Sequence, residues 1–197
     1  MKRFRTPRGA FFLLLAMGCV LLAYYLINLR IENSKPEEYV ELTAIQHVLS
    51  RNLETNYPQT PKEVIKYYSE ITTCFYNEEH TEEELYALAM KAMELYDHEL
   101  AANQTEEVYL KDLKSEIKDF KEKKYHISSY ATSSSTDVYY YNQGGHEFAK
   151  LYCSYNVRTG TVMTVIEEIF LLRMDFEGHW KIYGWDLAKD HAQLQSQ

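Results

Sequence analysis

The hydrophobic pattern of this chain changes period twice. Residues 10–29 (AFFLLLAMGCVLLAYYLINL) are apolar throughout except for Asn28. A helix of twenty residues rises about 30 Å, the thickness of a bilayer's hydrocarbon core, so the run predicts a transmembrane helix. From residue 43 to about 122 the apolar positions recur at helical spacing. Ile45, Val48, Leu49 and Leu53 mark a short first helix within 43–54. Thr60-Pro61-Lys62-Glu63 opens a second as N-cap, first-turn proline and capping-box glutamate, followed on one face by Val64, Tyr67, Tyr68, Ile71 and Phe75. Thr81 and Glu84 make another capping box, with Glu82 and Glu83 at the positive end of the helix dipole. That helix sets Leu85, Leu88, Ala89, Ala92 and Tyr96 inward. The last helix starts near Thr105, with Leu110, Leu113, Ile117 and Phe120 along one side and its charges on the other.

From Tyr125 the period is two. Residues 125–130, 138–141, 148–157, 162–174 and 180–187 read as strands rich in aromatic and β-branched side chains. Gly144-Gly145, Thr159-Gly160 and Glu177-Gly178 mark hairpin turns, and Ser133 to Ser135 a bend within the first pair. Helices first and an antiparallel meander last predict an α+β domain with helices stacked on one sheet face. The expected organisation is a basic N-terminus (1–9), a transmembrane helix (10–29), a polar tether (30–42), one domain (43–188) and a C-terminal tail (189–197).

Charge gives the expected sidedness. Lys2, Arg3, Arg5 and Arg8 precede the apolar run and no acid occurs before Glu32. Basic flanks stay cytoplasmic, which places the expected single span in the cell membrane with the C-terminal domain extracellular. Five of the 21 basic residues (Lys2, Arg3, Arg5, Arg8, Arg30) belong to that span and its edges, leaving 16 against 29 acids, a balance of −13. So acidic a surface repels nucleic acid, which is discounted as a partner. Cys19, inside Ala16-Met17-Gly18-Cys19, is weak support for a lipoprotein signal, because the apolar run continues ten residues past it. Cys74 and Cys153 both sit in apolar patterns, as buried free cysteines do; a disulfide between them is the alternative.

The tail from Ile169 to Asp186 (IFLLRMDFEGHWKIYGWD) resembles the last hairpin of NTF2-like (cystatin-like) folds, in which a long strand ends at a glycine turn and the last strand opens with Trp-Lys-Ile. More narrowly, residues 56–63 (NYPQTPKE), 74–78 (CFYNE) and the same tail are similar to a family of single-pass membrane proteins of Gram-positive bacteria. The resemblance covers about residues 40–188. It implies an NTF2-like cone of three to four helices on a curved antiparallel β-sheet, and it implies no catalytic residue. NTF2-like domains often place a short strand between the early helices; no clear one shows in this sequence.

Candidate chemistry is sparse. The chain has no HxxxH pair, CxxC motif, phosphate loop or nucleophile elbow, so no metal site and no cofactor is expected. On the strand 162–174 both alternating sets are apolar, which predicts that both its faces are covered. Glu167 and Glu168 on that strand must point opposite ways, so one faces inward, where burial raises a carboxyl pKa and suits general acid–base work. The plainer alternative has that Glu reach water or pair with Arg173 or Arg158. A bulge at Gly178 would shift the register and exchange the two. Eighteen tyrosines suit both ordinary strand packing and ligand stacking, and Tyr130, Tyr152, Trp180, Tyr183 and Trp185 are the candidate ligand-binding residues. The expected function is a non-catalytic binding or accessory module at the cell envelope, acting through a protein partner or a homodimer formed by the sheet. The alternative is an isomerase- or hydrolase-type pocket enzyme using Glu167 or Glu168.

Overall fold

The computed structural model describes residues 21–22, 24–26 and 42–188. The chain divides into two units, Met1–Glu41 and Leu42–Gln197. Of the first, Leu21, Leu22 and residues 24–26 are described, and they are helical. Among the described residues no helix is long and apolar enough to cross a membrane. The fold class is therefore corrected from a transmembrane helix plus domain to a mixed α+β domain with a five-stranded antiparallel sheet. The remainder of the expected span 10–29, the N-terminus 1–9, the tether up to residue 41 and the tail 189–197 lie outside the described residues.

Among the described residues of the second unit, five helices precede the sheet. Helix α1 (Ala44–Leu49) is capped by Thr43, α2 (Pro61–Asn77) by Thr60 and α3 (Glu82–Glu94) by Thr81, each in a capping box that satisfies two first-turn N–H groups. Helix α4 (His98–Ala102) is one turn capped by Asp97, and α5 (Glu106–Glu122) is capped by Thr105. The sequence reading has no counterpart for α4. Between α3 and α4 the backbone bonds to the sheet: Ile182 N donates to Leu95 O and Asp97 N to Ile182 O, both 2.8 Å, and Tyr96 forms a parallel bridge with Ile182. This single bridge stands where no early strand was expected.

The strands are β1 (His126–Thr132), β2 (Tyr139–Gln143), β3 (His146–Thr159), β4 (Val162–Met174) and β5 (Trp180–Leu187). Their order is β1-β3-β4-β5, with β2 also on β3. β1 runs along Cys153–Arg158 and β2 along His146–Lys150, so the two lie end to end on one side of β3. The break between them is the serine bend, held by Ser133 N donating to Tyr152 O and Tyr152 N to Ser133 Oγ, each 2.9 Å. Gly144 and Gly145 have φ of +60° and +82°, the two left-handed residues that a tight β2–β3 hairpin requires.

The even-numbered residues of β4 face the helices. Phe170 and Leu172, with Ala149, Leu151 and Ile182 beside them, are fully buried against Val64, Ile71, Leu88 and Ala92 of α2 and α3. Cys74 and Cys153 are free and buried in that layer, behaving as small apolar side chains. The odd face (Phe148, Lys150, Tyr152, Val165, Ile169, Leu171) carries no helix layer among the described residues; α4 meets it at the β5 rim. The expectation that both faces of β4 are covered holds only in part. Ile169 and Phe170 are 6% and 0% exposed, whereas Val162, Met163 and Val165 are more than half exposed.

Candidate functional site

The register decides which glutamate turns inward. Glu168 lies opposite Cys153 on β3, on the helix side, and Glu167 lies opposite Ser154 on the outer side. Glu167 is exposed and accepts a hydrogen bond from Ser154 Oγ at 3.3 Å. Glu168 is half-buried, and burial pushes its carboxyl up to about 7. Burial first, and then neighbouring groups that include Glu168, pushes Tyr68, Tyr76, Cys153 and Tyr155 upward. The helix-side layer also holds a hydroxyl network. Ser69 Oγ lies 2.9 Å from Tyr155 Oη and 3.4 Å from Cys153 Sγ, and Tyr96 Oη lies 3.4 Å from both Tyr68 and Tyr109 Oη. Five clefts among the described residues lack Glu168 in their walls. Neither expected arginine pairs with these acids.

Arg173 is used elsewhere. Although 6% exposed, it donates from Nε and Nη2 to both carboxylate oxygens of buried Asp97, at 2.9 and 2.6 Å, and from Nη1 to Glu99 at 2.8 Å. Hydrogen bonding to Asp97 holds the guanidinium above its ordinary pKa, and the bond from Arg173, then that from Tyr183, holds the Glu99 carboxyl low. Tyr183 donates to Glu99 Oε2 at 2.9 Å while its ring lies 4.7 Å under the guanidinium. Asp97, His98 and Glu99 stand close enough to share a cation, as do Asp175, Glu177 and His179. In the first group Arg173 already occupies the carboxylates. In the second, Asp175 Oδ1 accepts from Glu177 N and His179 N and closes the β4–β5 turn.

A cleft of about 310 Å³ opens on the outer sheet face. Ile169, Leu171 and Gly184 line it together with Tyr141, Lys150 and Asp186. Gly184 makes the space: a Cβ there would meet nothing within 4 Å. It adjoins a bulge, since Leu171 pairs with Gly184 but Leu172 with Ile182, leaving Tyr183 as the extra residue. The register shift thus lies at Tyr183 and not at Gly178, which sits in the turn with φ +83°. Next to the cleft, Tyr141 stacks on Phe148 with centroids 5.4 Å apart, and Tyr139 stacks on Tyr141 at 5.6 Å.

The five candidate aromatic residues do not form one site. Trp180 is buried at the start of β5, 5.7 Å from Tyr140, and its carbonyl accepts from Tyr57 Oη. Tyr130, half-buried on β1, donates to Glu70 at 3.4 Å, and burial pushes its hydroxyl up to about 12. Tyr152 is 41% exposed on the outer face, opposite Ile169. Tyr183 joins the Arg173 cluster at the rim of that face. Trp185 borders the cleft and packs on the helix side against Tyr68, Tyr96 and Phe170, with centroids 5.7 to 6.1 Å apart. Sequence reasoning missed Lys150, Leu171 and Gly184. The available signal was Gly184 itself, a glycine inside a strand pattern, which marks a bulge or a close approach. No curated protein matches the sequence. The model of a family described as a domain of unknown function, DUF6715, matches residues 1–185, nearly the whole sequence, and the chain belongs to that family.

Proposed function

We propose that this domain is a non-catalytic binding module whose partner, a protein segment, seats in the outer-face cleft over Gly184. The observation carrying this reading is an apolar floor (Ile169, Leu171) left open by a missing side chain, on the sheet face that carries no helix layer among the described residues. Concave apolar sites with a few polar groups at the rim suit ligand capture, and here Lys150 and Asp186 supply the rim. Exposed aromatic residues beside it, Tyr139 at 64% and Tyr152 at 41%, suit contacts that combine ring area with a hydroxyl. The helices-then-sheet order also accords with the NTF2-like resemblance, which we retain as the reading of the fold family. A photo-crosslinking side chain placed at Tyr152 tests the site. Its adduct with a partner should disappear when Gly184→Leu fills the cleft, because the added side chain enters open space and leaves the fold intact. An unchanged adduct pattern in the filled variant refutes the assignment.

A second reading rests on Glu168. A carboxyl pushed by burial to about 7 is the equipment of a general acid or base, as an isomerase- or hydrolase-type pocket would use. Soaking the domain with small carbonyl and ester compounds and following the Glu168 carboxyl resonance tests it. Binding that shifts that resonance supports the pocket enzyme, and binding confined to cleft residues returns the assignment to the outer face.

A further inference from the structure

We propose that two copies of this chain join edge to edge through Val162–Ile166 of β4, making one continuous antiparallel sheet. β5 pairs with β4 only from Glu168 to Met174. Among the described residues no strand meets Val162–Glu167 on that side, so six residues of backbone form an open edge. Open edges are ordinarily guarded by lysine, proline, an inward charge or a bulge. Here the only charge on the open stretch is Glu167 at its end, and Val162 to Ile166 (VMTVI) contain no charge and no proline. Its apolar side chains are exposed on both faces, Val162 at 62% and Ile166 at 37% toward the helix side, Met163 at 55% and Val165 at 51% on the outer side.

The occupant follows from self-complementarity. Antiparallel pairing in a single sheet keeps side chains of opposed residues on the same face. A two-fold axis through Thr164 then sets Thr164 against Thr164, Met163 against Val165 and Val162 against Ile166, apolar with apolar on each face. Charge agrees with this register. The run is bracketed on the outer face by exposed Arg158 and exposed Glu167, and antiparallel pairing exchanges the two ends. The second copy's Glu167 therefore comes to the side where Arg158 stands, and the reverse. In a chain of net charge −8, copies repel least where the edge is uncharged. The strip is short, below the about 1,200 Å² of a standard interface, so the dimer is weak and concentration-dependent. The inference is independent of the cleft reading, since it uses no cleft residue.

The test uses the full chain in a Cys19→Ser background, with Cys74 and Cys153 buried. Thr164→Cys places two thiols on the axis, where opposed residues in an antiparallel pair fall within disulfide reach. Mild oxidation should give a covalent dimer at least tenfold faster than for Val162→Cys, whose two copies are offset by four residues. Val165→Lys should give a monomer by sedimentation at concentrations where the parent chain dimerises, with unchanged circular dichroism. Equal crosslinking of Thr164→Cys and Val162→Cys, a parent chain monomeric at every concentration, or a Val165→Lys variant that still dimerises would each overturn the proposal.

Discussion

Replacing Glu168 by Gln should stabilise this domain above neutral pH and leave its stability unchanged in acid. The side chain is turned toward the helix layer, and burial alone lifts its carboxyl from 4.5 to about 7. The folded state therefore keeps a proton that the unfolded state has lost between those two values. Because the native form binds more protons in that window, stability falls as pH rises through it, and the penalty is complete above about pH 7. At 1.36 kcal/mol per pH unit the penalty is at most about 3 kcal/mol. Partial access of water to a half-buried carboxyl lowers the figure to about 2 kcal/mol. Glutamine keeps the shape and carries no titrating proton. Urea unfolding followed by circular dichroism at pH 4, 6 and 8 measures the difference. The midpoints of parent and variant should coincide at pH 4 and separate in favour of the variant at pH 8. Equal midpoints at pH 8, or a parent chain more stable there, would show that Glu168 is not desolvated as its position opposite Cys153 implies.

Arg173→Met should cost about 3–5 kcal/mol, read from the urea midpoint, because it leaves Asp97 charged and 2% exposed. Arg173→Lys should recover little of this, since an ammonium cannot reproduce the two-pronged contact with Asp97 and the third bond to Glu99. Thr81→Ala should cost about 1 kcal/mol through loss of the α3 cap, measured by the same unfolding curve. Cys74 and Cys153 should resist alkylation until the domain unfolds, because both are buried and burial pushes the Cys74 thiol up to about 11; mass spectrometry before and after urea checks this.

Features fixed by neighbours in sequence were legible in it. Thr60, Pro61 and Glu63 act within one turn, so the start of α2 follows from four letters. The strands from β2 to β5 follow from alternation and from glycines that must adopt positive φ. What was illegible depends on partners far along the chain. Alternation says that Glu167 and Glu168 diverge, but only the pairing of Glu168 with Cys153 says which one is inside. Helix α4 is a single turn with no apolar period to reveal it, and it exists where Asp97 both caps it and meets Arg173, 76 residues away. The apolar character of β4 implied cover on both faces, yet Val162, Met163 and Val165 are more than half exposed, in the stretch that β5 does not reach. The span expected at 10–29 rested on the length and apolar character of that run and on its basic flank, and the described residues contain no helix of that length and character.

The unequal treatment of β4 links the two proposed surfaces. Its second half is sandwiched between the helix core and the aromatic rim of the outer face, and there the bulge at Tyr183 and the bare Gly184 open a cleft. Among the described residues its first half has no neighbouring strand beyond β3. A two-fold axis perpendicular to the sheet at Thr164 leaves both outer faces on the same side, so the two clefts of a dimer open in one direction. A partner with two equivalent segments would then engage both, and the second contact would be intramolecular, which raises avidity without any new interaction. Breaking the edge with Val165→Lys should leave the affinity of one cleft for one segment unchanged while weakening attachment to a surface densely coated with that segment. Loss of single-site affinity in that variant would mean that the edge and the cleft are one site, and the separation of the two roles along β4 would fail.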